Sequence, residues 1–280
     1  MMLEYEGDAF DQEDLMKQYY ICYPEGKFKA LTFSYDDGKQ SDRRLVEIFD
    51  RYGMKGTFHL NGGLFSDPER IPEEEVAALY AGHELACHTY THPTIARCPL
   101  DKVTEEILED RRALEALVPY PVQGFSYPNG SYTEEIKRLL PALGIEYGRI
   151  VGSSHNFSLP NDWYEWQATC HHNHDLLKHG ETFIGLSKKQ YLHLMYVWGH
   201  SYEFDNDGNW DLIESFCRAT GNRTDIWYCT NIEFMRYMSA SRQLVFSVSG
   251  ETVLNPSDQP IWVTIEGEIK KLHTGLNTLA

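Results

Sequence analysis

The chain has 280 residues, with 42 acids against 25 bases and a formal net charge of −17. A field of that sign disfavours a phosphate backbone, so nucleic acid is not expected as a partner. Apolar residues make up 42%, ample for a large core, yet no run approaches the roughly 18 consecutive apolar residues of a membrane span, so no membrane insertion is expected.

The opening stretch MMLEYEGDAFDQEDLMKQYY is acidic and lacks a basic segment followed by an apolar one. It does not read as a secretory signal, which predicts a cytoplasmic protein, although a trimmed secreted form would look the same. Six cysteines are scattered without CxxC spacing and read as buried thiols rather than a disulfide framework.

Residues 1–27 read as an N-terminal extension. ALTFSY, from residue 30, reads as a buried strand. Ser41 is placed to cap a following helix that carries Leu45, Ile48, Phe49 and Tyr52 on one face and ends at Gly53. KGTFHL is the next strand. PEEEVAALYAG has Pro72 and three glutamates at a helix start and Gly82 beyond its end. The cycle repeats with HELAC and a helix near 99–118, then QGFSY and a helix near 132–143. YGRIV, LHLMYVW and DIWYCT are further strands. Repeated βα units predict a parallel sheet, and this many suggest a barrel whose chemistry gathers at the C-terminal strand ends. After about residue 240, short alternating runs predict a small β-rich appendage over 240–280.

The stretch TFSYDDG ends the first strand with two adjacent carboxylates, Asp36 and Asp37. At about 5 Å and an effective dielectric of about 20 they repel by roughly 3 kcal/mol. Two neighbours in a strand converge only where it ends and turns, which Gly38 permits. HTYTHP places His88 and His92 four residues apart. In a helical turn both imidazoles reach one metal, about 6 Å apart, whereas in a strand they would be about 13 Å apart. Pro93 limits this to a single turn in a loop. One divalent cation on Asp37, His88 and His92 would relieve the repulsion and leave Asp36 ionised beside it.

These residues resemble the polysaccharide deacetylases, carbohydrate esterase family 4. TFSYDDG resembles the family's first motif and HTYTH its second, with KGTFHLNGG and GHELACHTYTHP similar to the flanking segments. The resemblance covers roughly 28–238, which gives a domain at 28–239. It implies an α/β fold, a distorted (β/α)7 barrel, with the small β-rich extension following. It also implies a hydrolase removing N- or O-acetyl groups from an acetylated oligo- or polysaccharide, by attack of water activated on the metal. Zinc suits the ligand set; cobalt, nickel or manganese would fit too.

By position, Asp36 resembles the family's base, with Asp37, His88 and His92 as metal ligands. The third motif departs in FSYPNG. Ser126 stands where an arginine is expected and is too short to hold the base over the same distance. Asn129 stands where a tyrosine is expected, and its backbone N–H remains available for an oxyanion hole. Arg149, at the end of the next strand, is either a substitute for the missing arginine or an ordinary surface residue. His200, after the leucine-rich strand, resembles the general acid, with Asp225 a weaker candidate to orient it.

Of the aromatics, most read as core, with Tyr127 and Trp198 the candidates to stack on a sugar face. CHHNHD (170–175) reads as a cleft-lining or solvated loop rather than a metal site. EFDNDGNWDLIE (203–214) reads as a polar loop with Asn209 capping a helix rather than a calcium loop. Two further readings stand beside the deacetylase. One is a hydrolase of a non-sugar amide such as a cyclic imide or ureide. The other is a glycan-binding relic with a degraded third motif.

Overall fold

The computed structural model describes residues 17–279. The chain packs as two compact units, one over Lys27–Ser239 and one that joins the segment up to Gly26 with Ala240 onward. The N-terminal segment contributes strand β1 (Tyr19–Cys22) to the smaller unit.

The larger unit carries the repeated βα grammar. Its strands are β2 (Lys29–Asp36), β3 (Thr57–Leu60), β4 (Glu84–Cys87), β5 (Gly124–Ser126), β6 (Tyr147–Ser153), β7 (Trp166–Ala168), β8 (Cys170–His171), β9 (His193–Gly199) and β10 (Ile226–Tyr228). All pair in parallel, in the order β7-β6-β5-β4-β3-β2-β9-β8, with β10 also against β2. Between them run α1 (Asp42–Arg51), α2 (Glu73–Leu79), α3 (Leu100–Glu115), α4 (Glu134–Leu139), α5 (Leu176–Ile184), α6 (Tyr202–Asn206) and α7 (Trp210–Thr220), and α8 (Asn231–Ser241) follows β10. Helix α4 runs on as a 3₁₀ turn over Leu140–Leu143, where Pro141 and then Gly144 at φ 76° end it.

The sheet curls. Arg149 on β6 touches Asp36 on β2 although four ladder steps separate the strands, and Trp166 on β7 packs on Tyr196 of β9 at 4.8 Å. Among the described residues no ring of ladders closes. Instead β7 pairs with β6 and β8 with β9, so the one stretch 166–171, broken at Thr169, meets both ends of the path. This is a distorted, barrel-like sheet.

Alternation along β2 sorts the side chains. Leu31, Phe33 and Tyr35 face the helices, with Phe33 4.4 Å from Phe49 and 6.0 Å from Phe216, ring to ring. Thr32 and Asp36 face inward, where Thr32 donates to Asn231 at 2.8 Å. On β4, Glu84 turns inward and accepts from Thr57 (2.8 Å), Tyr147 (2.9 Å) and the amide of Ile232 (2.8 Å). The main core lies between sheet and helices, and the sheet's interior is polar.

The smaller unit adds β11 (Val245–Phe246), β12 (Thr252–Asn255), β13 (Ile261–Ile265), β14 (Glu268–Leu272) and β15 (Gly275–Thr278). They form two antiparallel three-stranded sheets, β1-β13-β14 and β11-β12-β15, around Val253, Val263, Ile265 and Leu272. All six cysteines are free thiols, five of them buried. Among the described residues, no helix is long and apolar enough to cross a membrane.

Candidate active site

Asp36 is the last residue of β2 and is 3% exposed. Asp37 follows with φ 80° and Gly38 with φ 61°. Two successive left-handed residues end the strand sharply, and aspartate tolerates that conformation better than most side chains. The Asp37 amide donates to the His59 carbonyl at 2.9 Å, which pins the turn to β3.

His88 and His92 converge without the helical turn expected from their spacing. Residues 88–92 form a bend in which Thr89 (φ 64°) and His92 (φ 60°) are left-handed, and the two rings lie 4.8 Å apart. Neighbouring elements hold this bend. Asp110 on α3 accepts the amides of His88 (2.8 Å) and Gly62 (2.6 Å). Asn61 donates to the carbonyls of His88 (2.7 Å) and Thr89 (2.9 Å). Arg70 in turn donates to Asn61 (2.8 Å) and to the Asp37 carbonyl, so one guanidinium braces both loops.

The donor atoms of Asp37, His88 and His92 all lie within 4.8 Å of one another, with His92 Nε2 3.7 Å from Asp37 Oδ1. His88 Nδ1 donates to the Ser126 carbonyl at 2.9 Å. That bond puts the proton on Nδ1 and leaves the Nε2 lone pair for the cluster. Burial, against the pull of Asp36 and Asp37, lowers the His88 pKa to about 4, so the imidazole is neutral, as a ligand must be. Two imidazoles and a carboxylate fit a zinc-class dication.

Arg149 is fully buried, and its Nη2 donates to Asp36 Oδ2. The guanidinium comes from β6, across the inside of the curled sheet, and lies 4.7 Å from the Trp198 ring. Burial raises the Asp36 pKa, but Arg149, followed by His88, His59 and His200, together outweigh it and hold the carboxyl well below the usual range. Ser126, at the end of β5, also reaches Asp36, its hydroxyl donating to Oδ1 at 3.1 Å and lying 2.6 Å from His88 Nδ1. The curl brings β5 close enough for a short side chain.

His200 follows β9, and its Nδ1 is 3.5 Å from Glu203 Oε2. Burial lowers its pKa, but Glu203, Asp36 and Asp37 prevail and raise it above the ordinary value. Asp225 is not near this ring: it pairs with Lys29 at 2.7 Å, at the opposite strand ends. Asn129 is exposed and left-handed at φ 56° in the turn after β5. Trp198 is 7% exposed and Tyr127 only 1%, with the Tyr127 hydroxyl donating to the Tyr164 carbonyl at 2.8 Å. Tyr127 thus lies in the core layer. The acidic stretch 203–214 makes its own contacts, Asp205 accepting from Trp210 (2.7 Å) and Asp207 from Asn173 (2.9 Å).

Sequence reasoning missed Arg70, Asn61, Asp110, His59 and Glu203. His59 is fully buried beside Asp36 in the ladder, and its inward position in KGTFHL was the available signal. Of the others, Asn61 and Arg70 lie in loops and Asp110 and Glu203 on helices α3 and α6, and no local pattern encodes the distant loop segments they hold.

Fold and site together define a barrel-like α/β protein with a dication-type donor cluster at its strand ends and an arginine-held carboxylate beside it. The polysaccharide deacetylase family model matches residues 23–148. A chitooligosaccharide deacetylase of Rhizobium leguminosarum bv. phaseoli is 29% identical over 112 residues, 38% of this chain and 47% of that one. A structure from Mycobacterium smegmatis, assigned to the polysaccharide deacetylases, superposes with TM-score 0.60 at 16% identity, covering 82% of this chain and 96% of that one. The Xyl-CE4 domain of a multidomain xylanase from the hindgut metagenome of Trinervitermes trinervoides gives 0.53 at 18% identity, over 76% and 92%. At such identities the structural likeness speaks to the fold. The chain spans about half the length of the curated relatives it matches. Residues 23–148 thus carry a polysaccharide deacetylase domain.

Proposed function

We propose that this protein is a metal-dependent deacetylase of acetylated carbohydrate, cleaving N- or O-acetyl groups. The observation that carries this reading is the Asp37–His88–His92 donor cluster beside a buried carboxylate gripped by Arg149. Asp37, His88 and His92 would hold the ion, which supplies Lewis-acid polarisation and neutralises charge. Asp36 accepts the proton of the attacking water. Its low pKa makes it a weak base in bulk terms, so it works by fixed position, and Arg149 and Ser126 provide the fixing. The water oxygen bonds to the acetyl carbon, the carbon–nitrogen or carbon–oxygen bond breaks, and His200 gives its proton to the leaving atom. The Asn129 backbone N–H is the candidate donor to the carbonyl oxygen as it gains charge.

Ser126 in the arginine's place favours the glycan-binding relic, which would bind sugar without turnover. A non-sugar amide substrate is the other alternative. Acetate release from a panel of N- and O-acetylated oligosaccharides separates the three. Asp36→Asn should keep its metal content and lose on the order of 10²–10⁴ in rate. Near-normal turnover in that variant would remove Asp36 from the chemistry.

A further inference from the structure

His172 is fully buried, and neither ring nitrogen is hydrogen-bonded. It is one of three imidazoles gathered on a single carboxylate oxygen. Glu203 Oε2 lies 3.1 Å from His171 Nε2, 3.3 Å from His172 Nε2 and 3.5 Å from His200 Nδ1. It also accepts the His200 backbone N–H at 3.0 Å. His171 ends β8 and His172 begins the turn after it, so two sequence neighbours converge as Asp36 and Asp37 do. Stacking between Tyr35 (5.7 Å, 10°) and Phe204 (4.1 Å, 26°) fixes the plane of the His172 ring.

From this convergence we infer a second transition-metal site, held by His171 Nε2, His172 Nε2 and Glu203 Oε2 and distinct from Asp37–His88–His92. One ligand atom from each of the three residues lies within 4.8 Å of the others, and both Nε2 atoms approach Glu203 Oε2. Two imidazoles and one carboxylate suit zinc and its first-row neighbours rather than magnesium or calcium. Hydrogen bonding alone accounts for only part of the cluster. A carboxylate oxygen offers two lone pairs, and the His200 amide takes one. His171 Nδ1 accepts the Asn173 amide at 3.2 Å, which puts the His171 proton on Nε2, facing Glu203, and fills the other. His172 is then left buried with both nitrogens unpaired, a costly arrangement. An ion shared by the two Nε2 atoms pairs His172. It moves the His171 proton to Nδ1, so the Asn173 contact must loosen. Glu203 also faces His200, so this site touches the deacetylase machinery through one residue.

The test is metal content of the full-length protein, stripped with chelator and titrated with Co²⁺, read by elemental analysis and cobalt absorption. Wild type should take up about two equivalents, and His88→Ala should keep about one, lost again when Glu203→Gln or His172→Ala is added. Because His172 is core, His171→Gln at the rim serves as the second variant, with near-UV circular dichroism checking that each fold persists. A single wild-type equivalent that vanishes with His88→Ala overturns the second site and leaves the first standing. A single equivalent that survives His88→Ala and disappears with Glu203→Gln supports the second site and removes the first.

Discussion

At the residue scale, the contact on which the proposed chemistry most depends is Arg149 on Asp36. The resemblance led to an arginine being expected where Ser126 stands, and the Arg149 guanidinium meets Asp36 from β6 instead. A planar guanidinium fixes a carboxylate's orientation, whereas a lysine ammonium is a point charge. Arg149→Lys is therefore expected to lower kcat at least tenfold with metal content unchanged; full activity would show that charge alone suffices. Arg149→Ala leaves an uncompensated buried carboxylate and should destabilise the fold by about 3–5 kcal/mol, measurable by denaturant unfolding.

At the element scale, the site depends on loops that other elements hold in left-handed conformations. Thr89 and His92 are both left-handed, and Asn61 ties their segment to Arg70 and Asp37. Outer contacts of this kind typically set metal affinity by 10–100-fold. Asn61→Ala should weaken metal binding by about that factor, read by competition with a chromogenic chelator, while the secondary structure stays intact. Unchanged affinity would mean that the bend holds itself. This level was only partly legible in the sequence. The spacing of His88 and His92 pointed to convergence, but the helical turn inferred from it is absent. Left-handed threonine and histidine carry no sequence signature, because the side-chain and main-chain contacts that hold their segment come from residues 15 to 38 positions away.

At the scale of the whole molecule, repeated βα segments made the parallel sheet legible, because each strand and helix carries its own periodicity. The stretch 166–171 escaped notice. Its two strands are three and two residues long and pair with different partners, and so short a segment has no period to read. Strand β1 pairs with β13 some 240 residues away, and no local pattern gives such a register. Arg149 sits one residue beyond the matched family region; Ser126 in an arginine's expected place pointed to it, but the sequence alone did not separate a substitute from a surface residue. The polar interior also predicts a pH response. Burial pushes the Glu84 carboxyl from 4.5 up to about 7. Between those values the folded state binds more protons than the unfolded one, so this residue's contribution to stability falls as pH rises. Relative to wild type, Glu84→Gln should gain up to about 3 kcal/mol between pH 4.5 and 7 in urea unfolding. A difference that does not vary with pH would mean that Glu84 is ionised throughout.

The central claim is that Asp37, His88 and His92 hold an ion needed to remove acetyl groups from sugars. Acetate release from N-acetylated chitooligosaccharide tests it most directly, measured on chelator-treated protein before and after adding back Zn²⁺, Co²⁺, Ni²⁺ or Mn²⁺, for wild type and Asp37→Ala. Release should stop on chelation, return with at least one of these ions in wild type, and not return in Asp37→Ala. Equal release with and without chelator, or full recovery in Asp37→Ala, would contradict the account.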